Sequence, residues 1–234
     1  MAIQENLAAV QRRIADKALS IGRAPEEITL VAVSKTFPPS TVDEASRAGQ
    51  IHFGENRVQE AEDKIPAVLA RGLVWHLVGH LQGNKAKRAV QLFDWIHSVD
   101  SVDLLLRLDR HAAALGKKIP ALLQLDLAAE TTKFGMPESA LDAALEAASS
   151  LGHVSVRGLM IIPPFYDDPV RARPFFRRLK ELLDYSRKRA PALPLEHLSM
   201  GMTHDFEEAI EEGATMVRVG TAIFGSRPRV GGSE

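Results

Sequence analysis

Cysteine is absent from this 234-residue sequence. A chain without thiols has no disulfide framework, no thiolate nucleophile, no iron–sulfur centre and no cysteine-based zinc site. It is compatible with the reducing cytoplasm, where we expect the protein to act. The N-terminal segment 1–13 lacks an apolar core of about seven residues, and no segment approaches the length of a membrane span. We therefore expect neither secretion nor membrane insertion.

An excess of charge of one sign is also absent. The sequence has 29 Lys and Arg against 30 Asp and Glu, for a formal net charge of -1 at pH 7. This balance provides no overall field that attracts nucleic acid or an anionic membrane. Basic residues concentrate in 171–189, but Glu181 and Asp184 interrupt them, which indicates a solvated helix face. We expect no nucleic-acid or membrane partner, so function depends on a local site.

The sequence contains a regular alternation of short apolar runs and amphipathic segments. The apolar runs are rich in β-branched residues and are typical of strands buried on both faces of a parallel sheet. The predicted strands are 28–33, 51–53, 73–78, 95–98, 119–127, 154–159, 195–198 and 215–219. Predicted helices separate them.

Eight strands alternating with helices predict an α/β fold, a (β/α)8 TIM barrel, for which about 200 residues is the practical lower limit. A doubly wound open sheet is the alternative. Apolar residues recur at helical spacing from Ile3 to Ile14, so an extra N-terminal helix within 1–25 is expected to pack on the barrel. No linker, repeat or charge block marks a boundary, so we interpret 1–234 as one domain with 227–234 as a flexible tail.

Prolines mark two predicted helix starts. Pro137 is expected in the first turn of a helix that ends just before Gly152. Asp168 and Pro169 are expected to open a long helix, and Pro174 to kink it or to delay its first turns.

Lys35 directly follows the first predicted strand, in the order Val33-Ser34-Lys35-Thr36. In a barrel this position lies at the carboxyl end of the strand, where ligand groups bind. Burial favours the neutral form of an amine, and a neutral amine attacks an aldehyde to form an imine. Lys35 is therefore a candidate Schiff-base former. The alternative is a solvated lysine at a strand end.

The loops after the last two predicted strands are rich in small residues and hydroxyls. Ser199, Gly201 and Thr203 precede one helix, and Gly220 and Thr221 precede a second, shorter one. Glycine permits close backbone approach, and the first N–H groups of a helix favour an anion. Because barrels commonly bind phosphate here, the loops indicate a phosphate monoester site. Ordinary helix capping is the alternative.

Arg218 lies two residues before Gly220 on the same predicted strand, so both point to one side. A guanidinium cannot lose its proton, and inside a barrel it needs an acceptor. That acceptor is either a carboxylate of the core or a ligand's ring nitrogen or anion. An imine-forming lysine, a phosphate loop and an arginine aimed at a heteroaromatic nitrogen together indicate pyridoxal 5′-phosphate (PLP).

His76 and His80 lie four residues apart at the end of the third predicted strand. The intervening residues lack the glutamate of a zinc protease motif, and the pair falls on a strand end and not on a helix. We interpret them as a satisfied histidine pair and expect no metal site.

Six motifs, in this order, resemble those of the pyridoxal phosphate homeostasis proteins, a family similar to the N-terminal barrel domain of alanine racemase. The resemblance covers nearly the whole chain. The motifs are VAVSKT (31–36), HFGEN (52–56), WHLVGHLQGNK (75–85), RGLM (157–160), LSMGM (198–202) and VRVGTAIFG (217–225).

The resemblance implies that Lys35 holds PLP as an internal aldimine and that Arg218 meets the pyridine nitrogen. It also implies that Asn56 and Met160 line the ring. The residues implied to hold the phosphate are Ser199, Met200, Gly201, Gly220 and Thr221, and Thr203 is a further candidate for cofactor binding. Arginine does not share a proton with the ring as a carboxylic acid does, so the ring stays a weak electron sink and carbanion chemistry is discouraged.

Three positions depart from the family pattern. Phe37 replaces a second lysine common in relatives, so any auxiliary PLP site that uses that lysine is in doubt. Thr203 replaces a serine and keeps the hydroxyl. Gly83 replaces a common serine, with no clear consequence.

The resemblance implies a monomeric carrier of PLP in vitamin B6 homeostasis, in transient contact with PLP-dependent apoenzymes. An amino-acid racemase is one alternative, but racemisation needs a base on each face of the substrate carbon, and Lys35 supplies one. Alanine racemases take a tyrosine base from a second domain, and the tyrosines here are Tyr166 and Tyr185. A barrel enzyme that forms a Schiff base with a sugar phosphate is another alternative.

Overall fold

The computed structural model describes residues 2–128 and 134–226. The strands of this part all pair in parallel within one sheet. The strands are β1 (Thr29–Val33), β2 (His52–Glu55), β3 (Val74–Leu77), β4 (Trp95–Val99), β5 (Ile119–Asp126), β6 (Met136–Pro137), β7 (Val154–Ile161), β8 (His197–Met202) and β9 (Met216–Val219). The α-helices are α1 (Ile3–Ser20), α2 (Pro39–Arg47), α3 (Val58–Ala67), α4 (Ala86–Leu92), α5 (Val102–Ala114), α6 (Leu141–Ser149), α7 (Arg173–Arg189), α8 (Phe206–Glu211) and α9 (Thr221–Phe224).

The sheet closes on itself to form a barrel. Its hydrogen-bonded order is β4-β3-β2-β1-β9-β8-β7-β5, and β4 also pairs with β5, with Ile96 opposite Ala121. The two-residue strand β6 pairs only with β5. The predicted (β/α)8 barrel is confirmed, and the open-sheet alternative is excluded because such a sheet leaves two strand edges unpaired.

Side chains of the strands alternate between the barrel interior and the layer beneath the helices. Most buried apolar residues form one large cluster between strands and helices. Two smaller clusters are separate from it, and we place them inside the barrel. They are Val31, Val33 and Val78, and Leu122, Met160 and Met216.

The predicted N-terminal helix is present as α1, which packs mainly against α8 and α9. Its buried face comprises Leu7, Val10, Ile14 and Ala18. Two ion pairs join it to α8, Arg13 with Glu207 at 2.9 Å and Lys17 with Glu211 at 2.5 Å. The predicted tail, 227–234, lies outside the described residues.

The two proline predictions have different outcomes. Asp168 caps a short 3-10 turn, and α7 begins only at Arg173, with Pro174 in its first turn. The predicted delay is confirmed. The prediction for Pro137 is wrong, because this residue lies in β6 and α6 begins at Leu141. Proline lacks an N–H donor but is tolerated in a short edge strand.

Candidate functional site

The loops after the strands meet at one end of the barrel because all strands run in parallel. Lys35 lies in the turn directly after β1, and it is half-buried. A Cβ placed on Gly54 of β2 would lie 3.0 Å from Val31 Cγ1 and 3.2 Å from Val33 Cγ2, so these positions face one another. Lys35 follows Val33 by two residues and lies just beyond the end of β1.

A buried ionic cluster supports this turn from the outer side. The Lys64 ammonium on α3 donates to Glu55 Oε1 at 2.7 Å and to the Ser34 carbonyl oxygen at 2.8 Å. The Ser34 hydroxyl also donates to Glu55 Oε1, at 2.7 Å. Burial raises the pKa of the Glu55 carboxyl, and the neighbouring Lys64 opposes that rise. The carboxylate thus has two donors on one oxygen in a site without water contact.

Glu60 extends the cluster to the other side of Lys35. Its Oε1 accepts from the Lys64 ammonium at 2.8 Å and from the Thr36 backbone N–H at 2.5 Å. Thr36 has a φ of 69°, a left-handed conformation that is strained for a β-branched residue. The peptide groups on both sides of Lys35 are therefore anchored to α3. Sequence reasoning missed this cluster.

The two loops predicted to hold phosphate are hydrogen-bonded to each other. The Gly220 N–H donates to Thr203 Oγ1 at 3.3 Å. Helix α9 begins directly after Gly220, so its first N–H groups have no acceptor within the helix. Gly201 lies within β8, which extends to Met202 and not only to the predicted Leu198. Gly201 has a φ of 89°, and a Cβ there would lie 2.9 Å from Phe206 Cα, so this position requires glycine. The β8 and β9 loops therefore form one continuous rim.

Arg218 is buried inside the barrel, with 4% of its surface exposed. Its Nη1 donates to Ser199 Oγ at 2.6 Å, and its Nη2 donates to the Ile161 carbonyl oxygen at 2.8 Å. Within residues 2–128 and 134–226, no carboxylate forms a salt bridge with it. Asp205 interacts with Arg218 only by longer-range electrostatic attraction, which raises the pKa of the guanidinium. Burial lowers the pKa of Arg218 to about 10, so the guanidinium stays charged at neutral pH.

The Ser199 hydroxyl begins a chain of histidines that crosses the barrel interior. His97 Nδ1 lies 2.9 Å from Ser199 Oγ, and His97 Nε2 lies 2.9 Å from His76 Nδ1. His76 Nε2 then lies 3.0 Å from His52 Nδ1. The Ser199 side chain is therefore engaged in the barrel interior. Sequence reasoning missed the chain, although His52 lies two residues before the inward Gly54 on the same strand.

His80 is not the partner of His76. Its ring stacks on Phe134, with centroids 3.7 Å apart, and its Nδ1 lies 3.1 Å from Asp100 Oδ2. It also borders a polar cavity of about 530 Å³ that is shared with Arg57 and Lys85. The described part of the chain holds no cluster of three or more potential metal ligands.

The remaining predicted ligand residues differ in burial. Asn56 follows β2 and is half-buried, and a Cβ on Gly79 would lie 2.3 Å from its carbonyl oxygen. Met160 is fully buried in the inner cluster with Leu122 and Met216. Met200 is fully buried in the large outer cluster, so its backbone and not its side chain is available to the mouth.

Fold and site together define a closed parallel (β/α)8 barrel. The turn that contains Lys35 and the rim formed by the β8 and β9 loops lie at its mouth, and Arg218 is buried inside. Within the described residues, every helix is too short or too polar to cross a membrane. The family model for the N-terminal domain of alanine racemase matches residues 2–228. The alanine racemase of Clostridium difficile 630 has the same fold, with a TM-score of 0.74 at 13% identity, and this chain covers 58% of it.

Two relatives are much closer. The pyridoxal phosphate homeostasis protein of Escherichia coli K12 is 41% identical over 228 residues, which cover 96% of this chain and 97% of that protein. PipY of Synechococcus elongatus PCC7942, solved with PLP bound, is 43% identical with a TM-score of 0.84, and the match covers 95% of this chain and all of PipY. The chain belongs to the family of pyridoxal phosphate homeostasis proteins.

Proposed function

We propose that this protein binds PLP covalently through Lys35 and holds it for PLP homeostasis, acting as one domain and not as an enzyme. The observation that carries the proposal is the pairing of β1 with β9, in which Val31 lies opposite Arg218 and Ala32 opposite Val219. This pairing supports a site in which the lysine turn lies beside the arginine and the glycine loop. The family relation supports the same ligand, because PipY is a relative solved with PLP bound.

The donors at the mouth match the chemical groups of PLP. The neutral amine of Lys35 would attack the aldehyde carbon, a C=N bond would form, and the carbonyl oxygen would leave as water with both amine hydrogens. Arg218 would donate to the ring nitrogen and, being charged, would keep it unprotonated. PLP supplies the reactive aldehyde and a ring that can accept electrons.

We assign the phosphate to the rim formed by the β8 and β9 loops. Backbone N–H groups and a hydroxyl favour an anion there without an added cation. The proposed phosphate ligands are Met200, Gly201, Thr203, Gly220 and Thr221. Because the Ser199 hydroxyl already contacts Arg218, we expect Ser199 to act chiefly at the ring end of the site. Asn56 and Met160 would border the ring.

Two observations support a carrier over a racemase. Arg218 has a hydroxyl and a carbonyl as partners, which leaves the ring a weak electron sink. The side chains of the two tyrosines are both engaged by neighbouring residues. The Tyr166 ring lies beneath Arg171, at 4.5 Å, and the Tyr185 hydroxyl donates to Asp142 at 2.9 Å.

Reductive trapping tests the proposal directly. Purified protein is incubated with PLP, reduced with borohydride and digested, and the modified peptide is identified by mass spectrometry. We expect the adduct on Lys35, and we expect Lys35→Ala to abolish both the adduct and the imine absorption band. Lys180→Ala is the matched control, because Lys180 lies on α7 and pairs with Asp184 at 2.8 Å. Wild-type protein that gives no band and no adduct on Lys35 contradicts the proposal and favours the sugar-phosphate alternative.

A second experiment separates carriage from catalysis. PLP-loaded protein is mixed with an apoenzyme, and recovery of that enzyme's activity is followed over time, with Lys35→Ala as the control. We expect transfer from the wild type. Amino acids incubated with the loaded protein in deuterated solvent should exchange their α-hydrogen no faster than with free PLP. Faster exchange would instead support the racemase alternative.

A further inference from the structure

Arg218 sets the direction of the hydrogen bonds in the histidine chain. A guanidinium has donors and no acceptor, so Ser199 Oγ must accept from Arg218 at 2.6 Å. The Ser199 hydroxyl can then donate its own hydrogen, and its acceptor among the described residues is His97 Nδ1, 2.9 Å away. An accepting Nδ1 in a neutral ring requires that His97 carry its proton on Nε2.

The direction of this hydrogen bond also fixes the directions of the next two, between His97, His76 and His52. The Nε2–H of His97 donates to His76 Nδ1 at 2.9 Å, so His76 also carries its proton on Nε2. The Nε2–H of His76 donates to His52 Nδ1 at 3.0 Å. Each contact then contains one hydrogen, and all three rings are neutral in the same tautomer. If the hydrogen bonds between the histidines ran in the opposite direction, the Ser199 hydroxyl hydrogen would have no acceptor among the described residues.

The surroundings of the rings favour neutrality. Burial lowers the pKa of His76 to about 3, and His52 beside it adds to the effect. Burial also lowers the pKa of His97 far below its ordinary value, and His76 and Arg218 contribute to that effect. Burial lowers the pKa of His52 as well, against the opposing charge of Asp94.

We infer that His97, held in turn by His76 and His52, is a positioning residue for Arg218. By accepting the Ser199 hydroxyl hydrogen, His97 keeps the Ser199 oxygen turned to Arg218 as an acceptor. Two of the five N–H donors of Arg218 are thereby fixed to the barrel, and the guanidinium is oriented towards the mouth. Because these partners are neutral, the site selects a ligand whose ring nitrogen accepts a hydrogen bond. The identity of that ligand rests on the proposed function.

The row of hydrogen-bonded histidines also reaches the opposite end of the barrel. His52 is the first residue of β2, and it borders a cavity of about 380 Å³ together with Gln11, Pro25 and Gly49. His52, the last of the hydrogen-bonded histidines, can therefore be substituted at the amino ends of the strands, away from the mouth. A change at His52 should act on Arg218 only through His76 and His97.

The tautomers of the PLP-free protein provide the first test. Long-range 1H–15N NMR spectra distinguish Nδ1–H, Nε2–H and doubly protonated rings. At neutral pH we expect His52, His76 and His97 to be neutral with the proton on Nε2. A proton on Nδ1 of His97, or a charged His97, would overturn the inference. This measurement involves no PLP, so its outcome is independent of the proposed function.

Variants of His97 provide the second test. His97→Leu removes the acceptor of the Ser199 hydroxyl, and His97→Gln can replace it through its amide oxygen. A hydrogen bond that involves a charged group is worth about tenfold or more in affinity, so we expect His97→Leu to weaken PLP binding by about tenfold and His97→Gln to restore most of it. Both variants should still form the adduct on Lys35. His111→Leu, on α5, is the matched control.

A ligand analogue separates positioning from general damage to the fold. The analogue has the aldehyde and phosphate of PLP but a C–H group in place of the ring nitrogen. We expect His97→Leu to leave binding of this analogue within about twofold of the wild type. His52→Leu should give the same pattern with a smaller effect. Equal losses for PLP and the analogue, or no loss for either, would overturn the inference. Wild-type protein that binds neither ligand would contradict the proposed function instead.

Discussion

The ammonium nitrogen of Lys64 lies 2.7 Å from Glu55 Oε1, and the two side chains are 5% and 0% exposed. This pair holds the carbonyl of Ser34, and through Glu60 it also holds the N–H of Thr36. The turn that contains Lys35 is therefore anchored by a charged pair that joins β2 to α3.

Lys64→Met should destabilise the protein and weaken PLP binding. The substitution leaves Glu55 as a buried charge without its partner, which costs about 3–5 kcal/mol. The double variant Glu55→Met with Lys64→Met should recover most of that stability, because both charges are gone. Its PLP binding should stay weak, because the turn remains unanchored. Urea unfolding and PLP titration measure these effects. A double variant no more stable than the single one would contradict this account.

Stability should fall steeply as the solution is acidified. The pKa of His76 is lowered by burial from 6.5 to about 3, and those of His52 and His97 are also lowered. The unfolded chain therefore binds protons that the folded protein excludes, so this stability is present above about pH 6.5 and is lost as the pH falls through the window down to about 3. Each such group contributes up to about 1.4 kcal/mol per pH unit.

Urea unfolding at several pH values between about 7.5 and about 5 measures this dependence. The raised pKa values of Glu55 and Asp205 act in the opposite direction, because the folded state binds their protons more tightly. In a matched series with His97→Gln, the free energy of unfolding should depend less steeply on pH, since one buried histidine is removed. An unchanged slope in that variant would argue against a neutral His97.

Gly158→Ala should strongly disrupt β7. Gly158 has a φ of 155°, and a Cβ there would lie 1.9 Å from the His197 carbonyl oxygen of β8. The clash is with backbone, so the strands must separate, at a cost of about 3 kcal/mol or more. Gly152→Ala is the matched control, because nothing lies within 4 Å of its Cβ position. Thermal melts should show a large loss for the first variant and a change within about 1 kcal/mol for the second.

Phe37→Lys should lower stability without adding a second PLP. The Phe37 ring packs on Phe224 with centroids 5.4 Å apart, so introducing a lysine removes an apolar contact. Loss of such an aromatic pair costs about 1 kcal/mol beyond the area exposed. Phe37→Leu keeps part of the packing and serves as the control. Mass spectrometry after reduction counts PLP per chain, and a second adduct on the introduced lysine would contradict the prediction.

The barrel itself could be predicted because its signals are local. Each strand is a short apolar run between amphipathic helices, and the delay caused by Pro174 follows from the shape of one residue. The position of Pro137 could not be predicted from local signals. It pairs with Asp126 across a sheet edge, a contact that local turn preferences do not specify.

The candidate site could be predicted in part, for a related reason. Lys35, Arg218 and Gly220 follow from strand ends and residue chemistry. The histidine chain depends on how far neighbouring strands are shifted past each other, because His52, His76 and His97 come from three strands. Glu55 lies within the motif HFGEN, yet its side chain contacts Lys64 of α3, outside the barrel wall. Period-two alternation indicates which side a residue faces but not which helix covers it.

The pairing of β1 with β9 joins residues from opposite ends of the chain. During synthesis Lys35 emerges from the ribosome early, whereas Arg218 and Gly220 emerge almost two hundred residues later. A nascent chain that lacks β9 has the amine but neither the guanidinium nor the Gly220 side of the rim, so the proposed site would still be incomplete. Under the proposed function, capture of PLP would therefore await the pairing of β9 with β1.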